Sequence, residues 1–273
     1  MSGADRNFEK SVDSRRPEVY DLGHRTAKAL WTVLSTAPFL SAFRQAEAVR
    51  REFSANVSHE LKTPLTTIKS YTETLLDGAV SDPETARSFL GIIDSEADRM
   101  NRLVKDLLQL SRMENNQEKW NMKESDLVKL LTSAVTKVAL TAEAKKQKLN
   151  CLFEADARVA VVMDKDRIEQ VILNVLANAI NYTQEGGRID IDLVVQDREA
   201  HIIIDDNGIG IPEDEQSRVF ERFFRVDKAR SRSMGGTGLG LAISKQIIEE
   251  HNGRIELTSR ENKGTKVKII LPL

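Results

Sequence analysis

The stretch Phe53-Ser-Ala-Asn-Val-Ser-His59-Glu60-Leu-Lys-Thr63-Pro64-Leu65 decides the fold of this chain. Apolar side chains recur there every three to four residues, which is the spacing of one stripe along an α-helix; they are Phe53, Val57, Leu61, Leu65 and Ile68. His59 stands two residues from both Val57 and Leu61, roughly 200° around the helix from either. The pattern therefore predicts a long helix that presents His59 to solvent.

The helix is modified by Thr63 and Pro64, which follow His59. Thr63 follows one turn later on the same face. Pro64 has no amide to donate to the carbonyl of Glu60, so we expect a bend beside the histidine. Considered alone, the stretch would describe a solvated histidine and a proline at a helix boundary.

The same stripe runs over about 44–77, and a second helix is predicted over about 84–114. The segment 77–83 between them has a glycine suited to a helix end and a proline suited to a helix start. The second helix carries apolar residues with coiled-coil spacing: Leu90, Ile93, Ala97, Met100, Leu103, Leu107 and Leu110. One hairpin cannot cover both seams, so we predict a homodimer with a four-helix bundle.

Composition bounds the remaining possibilities. The 273 residues are 40% hydrophobic and 30% charged, enough for two modest domains. A net charge of -2 argues against a dedicated nucleic-acid binder. The single cysteine, Cys151, lies in a strand-like run where we expect it to be buried, and the absence of a disulfide framework fits the cytoplasm. The longest apolar run, 29–43, is shorter than the roughly 20 residues that span a bilayer, so no membrane segment is expected.

Beyond a polar linker at 115–119, strand and helix patterns alternate. Strands are predicted near 119–123, 149–154, 159–163, 187–195, 200–205, 253–260 and 265–271, and helices near 125–147, 165–182 and 239–251. This order predicts a mixed sheet covered on one face by helices. Residues 1–43 carry no motif and stay unassigned as a sensor remnant, a linker or a partner-binding segment.

An asparagine pair marks the helix predicted at 165–182. Asn174 and Asn178 are four residues apart, so both amides project from one face. Amide oxygens are suitable ligands for Mg²⁺. The alternative is a pair of exposed helix asparagines without a ligand.

An apolar strand then runs into Asp206-Asn-Gly208-Ile-Gly210. A carboxylate there can accept a hydrogen bond from the exocyclic amine of adenine, and the glycines allow close backbone approach. The alternative is a hairpin turn, because Asn-Gly is a strong turn signal. The segment 213–220 that follows has a helical pattern, which argues against a hairpin.

A glycine loop opens the last predicted helix, with Gly236, Thr237, Gly238, Leu239 and Gly240 in its centre. Backbone amides at a helix start bind phosphate. The dinucleotide-binding pattern needs glycine at 241 and the P-loop needs lysine there, and Leu241 excludes both. The charged second half of the segment 220–235 is predicted to be a lid over the nucleotide, anchored by Phe220, Phe223 and Phe224. Arg225 and Arg222 of this segment are predicted to reach the triphosphate.

These motifs together closely resemble those of the bacterial sensor histidine kinases, over about residues 45–273. The resemblance is strongest to the cell-wall-regulating and phosphate-regulating sensor kinases. It implies an α+β multidomain chain: a dimeric antiparallel four-helix bundle for dimerisation and histidine phosphotransfer over 44–115, and an α/β sandwich of the gyrase-type ATPase fold over 116–273.

The resemblance also implies roles. His59 is the residue that ATP phosphorylates, Glu60 the base, and Thr63 part of a phosphatase activity toward the response regulator that receives the phosphoryl group. The nucleotide and Mg²⁺ are held by Asn178 with Asn174 in support, by Tyr182, and by Asp206 and Thr265 at the adenine. Asn181 stands where the family often has a basic residue, so one phosphate contact is lost. The rival interpretations are a non-kinase ATPase of the same fold and a kinase-dead scaffold.

Overall fold

The computed structural model describes residues 44, 47, 48, 51–115, 117–227 and 236–273. The chain divides into two compact units, Met1–Ser58 and His59–Leu273. Every residue from 51 to 76 is helical, and this helix is α1. The apolar run 29–43 and the predicted lid tip, 228–235, lie outside the described residues.

A short hairpin connection joins α1 to α2, Pro83–Glu114. A 3₁₀ turn, Ala79–Ser81, follows Gly78, whose φ of 120° suits glycine. Asp82 caps α2 by accepting from the amide of Glu84 at 3.3 Å, and Pro83 takes the first helical position. The predicted turn is therefore confirmed.

The apolar residues of α2 divide between two faces. Leu103, Leu110 and Met113 are buried within the chain. A second row, spaced by seven and then four residues, stays exposed and comprises Leu90, Ala97, Val104 and Leu108. The apolar residues of α2 were predicted to form one seam, but they lie on two faces. One face is buried within the chain, and the other is exposed.

The rest of the chain forms two sheets and the helices packed on them. The helices are α3, Leu127–Ala144; α4, Lys165–Tyr182; α5, Glu213–Gln216; and α6, Gly240–Glu250. The strands are β1, Lys123–Asp126; β2, Lys148–Cys151; β3, Ala160–Met163; β4, Arg188–Gln196; β5, Glu199–Asp206; β6, Arg254–Arg260; and β7, Gly264–Pro272. β1 pairs with β3, and the five-stranded sheet has the order β2-β4-β5-β7-β6.

The large sheet is mixed, as predicted, because β2 and β4 are parallel while its other pairs are antiparallel. Period-two alternation places Ile189 and Ile191 of β4 on the buried face. Ile172 and Leu176 of α4 are fully buried in the same core. Each such side chain contributes about 1.5–3 kcal/mol through burial.

Three local predictions were wrong. No strand forms at 119–122: Trp120 packs edge-on against His251, and the amide of Asn121 donates to Asp164 instead of to a neighbouring strand. Cys151 is exposed rather than buried, because it ends the edge strand β2. The helical pattern at 213–220 gives a helix only at Glu213–Gln216, followed by turns.

Among the described residues, none of the helices combines the length and the apolar character that a bilayer crossing requires.

Candidate functional site

A cavity of about 520 Å³ opens between α4, α6, β5 and β7, a size usual for small-molecule sites. Eleven of the predicted nucleotide residues line it: Asn174, Asn178, Tyr182, Asp206, Gly210, Arg225, Gly236, Thr237, Gly238, Gly240 and Thr265. Residues from three separate motifs therefore meet in one place.

Asp206 supplies a buried carboxyl group to this cavity. Its Oδ1 accepts from the amides of Gly208 at 2.8 Å and Thr265 at 3.2 Å. Burial raises the pKa of Asp206 to about 6, even though both hydrogen bonds oppose the shift. Gly208 has no room for a side chain, since a Cβ would come 2.8 Å from Asp206 Oδ1. β5 ends at Asp206 without a hairpin, since its partners are β4 and β7.

The asparagine pair faces the cavity from α4. Asn174 Nδ2 donates to the Ser244 hydroxyl of α6 at 2.9 Å, which fixes the orientation of its amide. Gly240 allows this approach, because a Cβ there would lie 3.0 Å from Asn174 Cγ. Asn178 lines the same cavity one turn along the helix.

The glycine loop leads directly into α6. Gly238 has a φ of 72°, and its carbonyl accepts from the amide of Phe223 at 2.8 Å. Thr237 Oγ1 accepts from the amide of Leu239 at 3.3 Å and donates to Asp106 Oδ2 at 2.8 Å. Leu239 itself is fully buried in the core and does not line the cavity.

A buried ion cluster lies beside His59. Glu60 Oε2 accepts from Arg99 Nη2 and from Arg225 Nη2, both at 3.0 Å. The arginine side chains are 7% and 3% exposed, so removing either partner would leave buried charge uncompensated. His59 is exposed, as predicted, and its carbonyl accepts from the Thr63 hydroxyl at 3.2 Å.

The cavity wall does not include every predicted residue. Arg222 does not line the cavity and forms an ion pair with Glu114 of α2. Gly208 does not line it either, and its amide donates to Asp206 Oδ1. The hairpin residues His59, Glu60 and Thr63 do not line the cavity either.

The sequence analysis did not predict four residues that line the cavity or pair with Glu60: Arg99, Arg102, Asp106 and Ser244. Arg99 precedes Leu103 by four residues, and Asp106 follows it by three, so both charges share the buried face of α2. A charged side chain on an apolar stripe indicates a partner, and this signal was present in the sequence. Ser244 had no comparable signal.

Comparison with known proteins identifies both parts of the chain. Residues 49–116 match the His Kinase A (phospho-acceptor) domain, and residues 163–273 match the histidine kinase-, DNA gyrase B- and HSP90-like ATPase family. The chain is 43% identical over 225 residues to the sensor histidine kinase WalK of Bacillus subtilis, which covers 82% of this chain and 36% of WalK. The chain belongs to the sensor histidine kinase family.

Other members of this family are also similar to the chain. A sensor protein kinase WalK of Staphylococcus aureus is 44% identical over 84% of this chain and 55% of that protein. The solved complex of histidine kinase ThkA with response regulator protein TrrA gives a TM-score of 0.68 at 26% identity, covering 84% of this chain and 63% of ThkA. The chain spans between about a third and just over half of the curated relatives it matches.

Proposed function

We propose that this chain is an ATP-dependent protein histidine kinase that phosphorylates its own His59 and passes the phosphoryl group to an aspartate of a response regulator. The supporting observation is the hydrogen bond between Glu60, the neighbour of exposed His59, and Arg225 on the wall of the cavity. It joins the acceptor helix to the nucleotide site.

The cavity suits ATP with Mg²⁺. Asp206 Oδ2 makes no hydrogen bond within the described part of the chain and is available to the adenine amine, with Thr265 beside it. The start of α6 and Arg225 favour phosphate oxygens. Side-chain oxygens of Asn178 and Asn174 would share Mg²⁺ with those oxygens, and the ion would neutralise charge on the transferring group.

The chemical step is an in-line displacement. A neutral imidazole nitrogen of His59 attacks the γ-phosphorus, the N–P bond forms, the bond to the bridging oxygen breaks, and ADP leaves. The proton of the other ring nitrogen goes to Glu60. Two guanidinium groups hold Glu60 in the described arrangement, so the base role requires Arg225 to move away from it.

The partners follow from the same proposal. Solved ThkA is bound to the response regulator protein TrrA, and a receiver domain is the partner we propose here. The uncovered face of α2 supports a homodimer. Both ATP and receiver domains are cytoplasmic, so we place the reaction in the cytoplasm.

The proposal is tested by incubating the full chain with Mg²⁺ and γ-labelled ATP. Label stable in alkali and labile in acid is expected on the wild type and absent from His59→Gln, which should bind ATP unchanged because His59 is off the cavity wall. Retained label on His59→Gln would exclude His59 as the acceptor. Binding without any label would favour a scaffold, and ATP hydrolysis without label a non-kinase ATPase.

A further inference from the structure

Asp106 is a carboxylate that α2 contributes to the nucleotide cavity. It lines the wall together with Arg102, one turn before it on the same helix. The buried residues Leu103 and Leu110 flank it in sequence, so the face of α2 that packs within the chain carries it. The cavity is thus completed by a helix outside the ATPase family match, residues 163–273.

Asp106 acts on the part of the cavity where phosphates belong. Its Oδ2 accepts from the Thr237 hydroxyl at 2.8 Å, and that hydroxyl accepts from the amide of Leu239 at the start of α6. A helix start attracts anions. The Asp106 carboxylate is therefore hydrogen-bonded to the start of α6, the element that would bind the phosphates. Both groups are negative, so they repel each other.

The surroundings of Asp106 strengthen the interaction of its charge with a charged ligand in the cavity. Asp106 is half-buried, so water screens its charge less than at the surface. Burial raises the pKa of Asp106, whereas the Thr237 hydrogen bond and the charge of Arg102 lower it and so favour the ionised carboxylate. Charges repel more strongly in such a partly buried site than in water. Because the repulsion acts on ligand charge, it should increase with each added phosphate.

We propose that Asp106 is a specificity-determining residue of the nucleotide site, whose negative charge lowers affinity in step with the number of phosphates on the ligand. The residue thereby sets the ratio of ATP to ADP affinity while α2 is docked on the cavity. Loss of the Asp106–Thr237 contact would favour ATP over ADP. The inference rests on the proposed nucleotide function.

The experiment measures the affinities of adenosine, ADP and a non-hydrolysable ATP analogue by calorimetry, on the full chain at saturating Mg²⁺. Asp106→Asn keeps an oxygen that can accept from Thr237 but removes the charge. It should tighten the ATP analogue roughly fivefold and ADP about twofold, and leave adenosine unchanged. The matched control is Asp98→Asn, which neutralises an exposed carboxylate of α2 that does not line the cavity; its three affinities should not depend on phosphate number.

Other outcomes overturn the inference. An Asp106→Asn effect of equal size on all three ligands would assign Asp106 a purely structural role, and no effect would remove it from the site. If thermal melting shows that Asp106→Asn is not folded, Asp106→Ser supplies the same test. A wild-type chain that binds none of the phosphorylated ligands would refute the nucleotide function itself.

Discussion

At the scale of the residue, Asp206 is the group whose chemistry depends most on its surroundings. An aspartate in water is ionised well below neutral pH, but burial raises the pKa of Asp206 to about 6. The carboxylate is a strong acceptor for an amine, and the protonated carboxyl is a weaker one. Adenine recognition should therefore respond to mild acidity.

We expect ATP affinity to fall as the pH falls through about 6, where Asp206 takes up its proton, and to be about tenfold weaker one unit below the pKa. Purine riboside triphosphate is the control, because it lacks the exocyclic amine but carries the same titrating phosphates. The two ligands are titrated between pH 7.5 and 5. Parallel profiles would contradict the role of Asp206 at the amine.

Thr63 is the second residue whose chemistry depends on its surroundings. Its hydroxyl proton points to the His59 carbonyl, which leaves the oxygen as an acceptor on the same face as His59. An attacking water needs such an acceptor to be oriented toward a phosphoaspartate docked against the histidine.

Thr63→Ala should keep autophosphorylation and lengthen the lifetime of a purified phosphorylated regulator, whereas Thr63→Ser should resemble the wild type. The lifetime is measured with each variant added to the same regulator. An unchanged lifetime would remove the phosphatase role. A parallel loss of kinase activity would show that Thr63 only shapes the helix before Pro64.

At the scale of the element, α2 carries two functions on two faces. One face packs within the chain through Leu103 and Leu110, and the other exposes apolar side chains that water disfavours. Leu65 and Leu76 of α1 are exposed as well, by 57% and 79%. We infer that a second hairpin covers this surface.

Charge placed on that surface should separate the dimer. The double variant Leu76→Glu with Leu90→Glu is expected to sediment as a monomer near 30.7 kDa, while the wild type sediments at twice that mass. Leu140→Glu is the matched control, since Leu140 is 78% exposed on α3, outside the hairpin. Dimers that persist in the double variant would place the interface elsewhere.

At the scale of the whole molecule, the sequence predicted what depends on neighbours along the chain. Periodicity predicted α4 to the residue, and the motifs predicted eleven of the residues that line the cavity, Asn174, Asp206 and Thr237 among them. Local spacing encodes these features, because a helix face or a glycine loop needs only a few consecutive residues.

Contacts between distant elements could not be predicted in the same way. The cluster of Glu60, Arg99 and Arg225 and the hydrogen bond from Thr237 to Asp106 depend on how α2 packs on the cavity. Periodicity gives the faces of α2 but not what covers them. For the same reason the residues 119–122 looked like a strand, although Trp120 and Asn121 bind to side chains far along the chain.

If the nucleotide cavity serves His59, incubation with ATP places a phosphoryl group on that histidine, and mass spectrometry can locate the group. The full chain, incubated with Mg²⁺ and ATP and kept at neutral or alkaline pH, is digested and mapped by tandem mass spectrometry. We expect the phosphoryl group on the peptide that contains His59, and not on His24, His201 or His251, the other histidines of the chain. A phosphoryl group on one of those residues, on a hydroxyl side chain, or on no residue at all would contradict it.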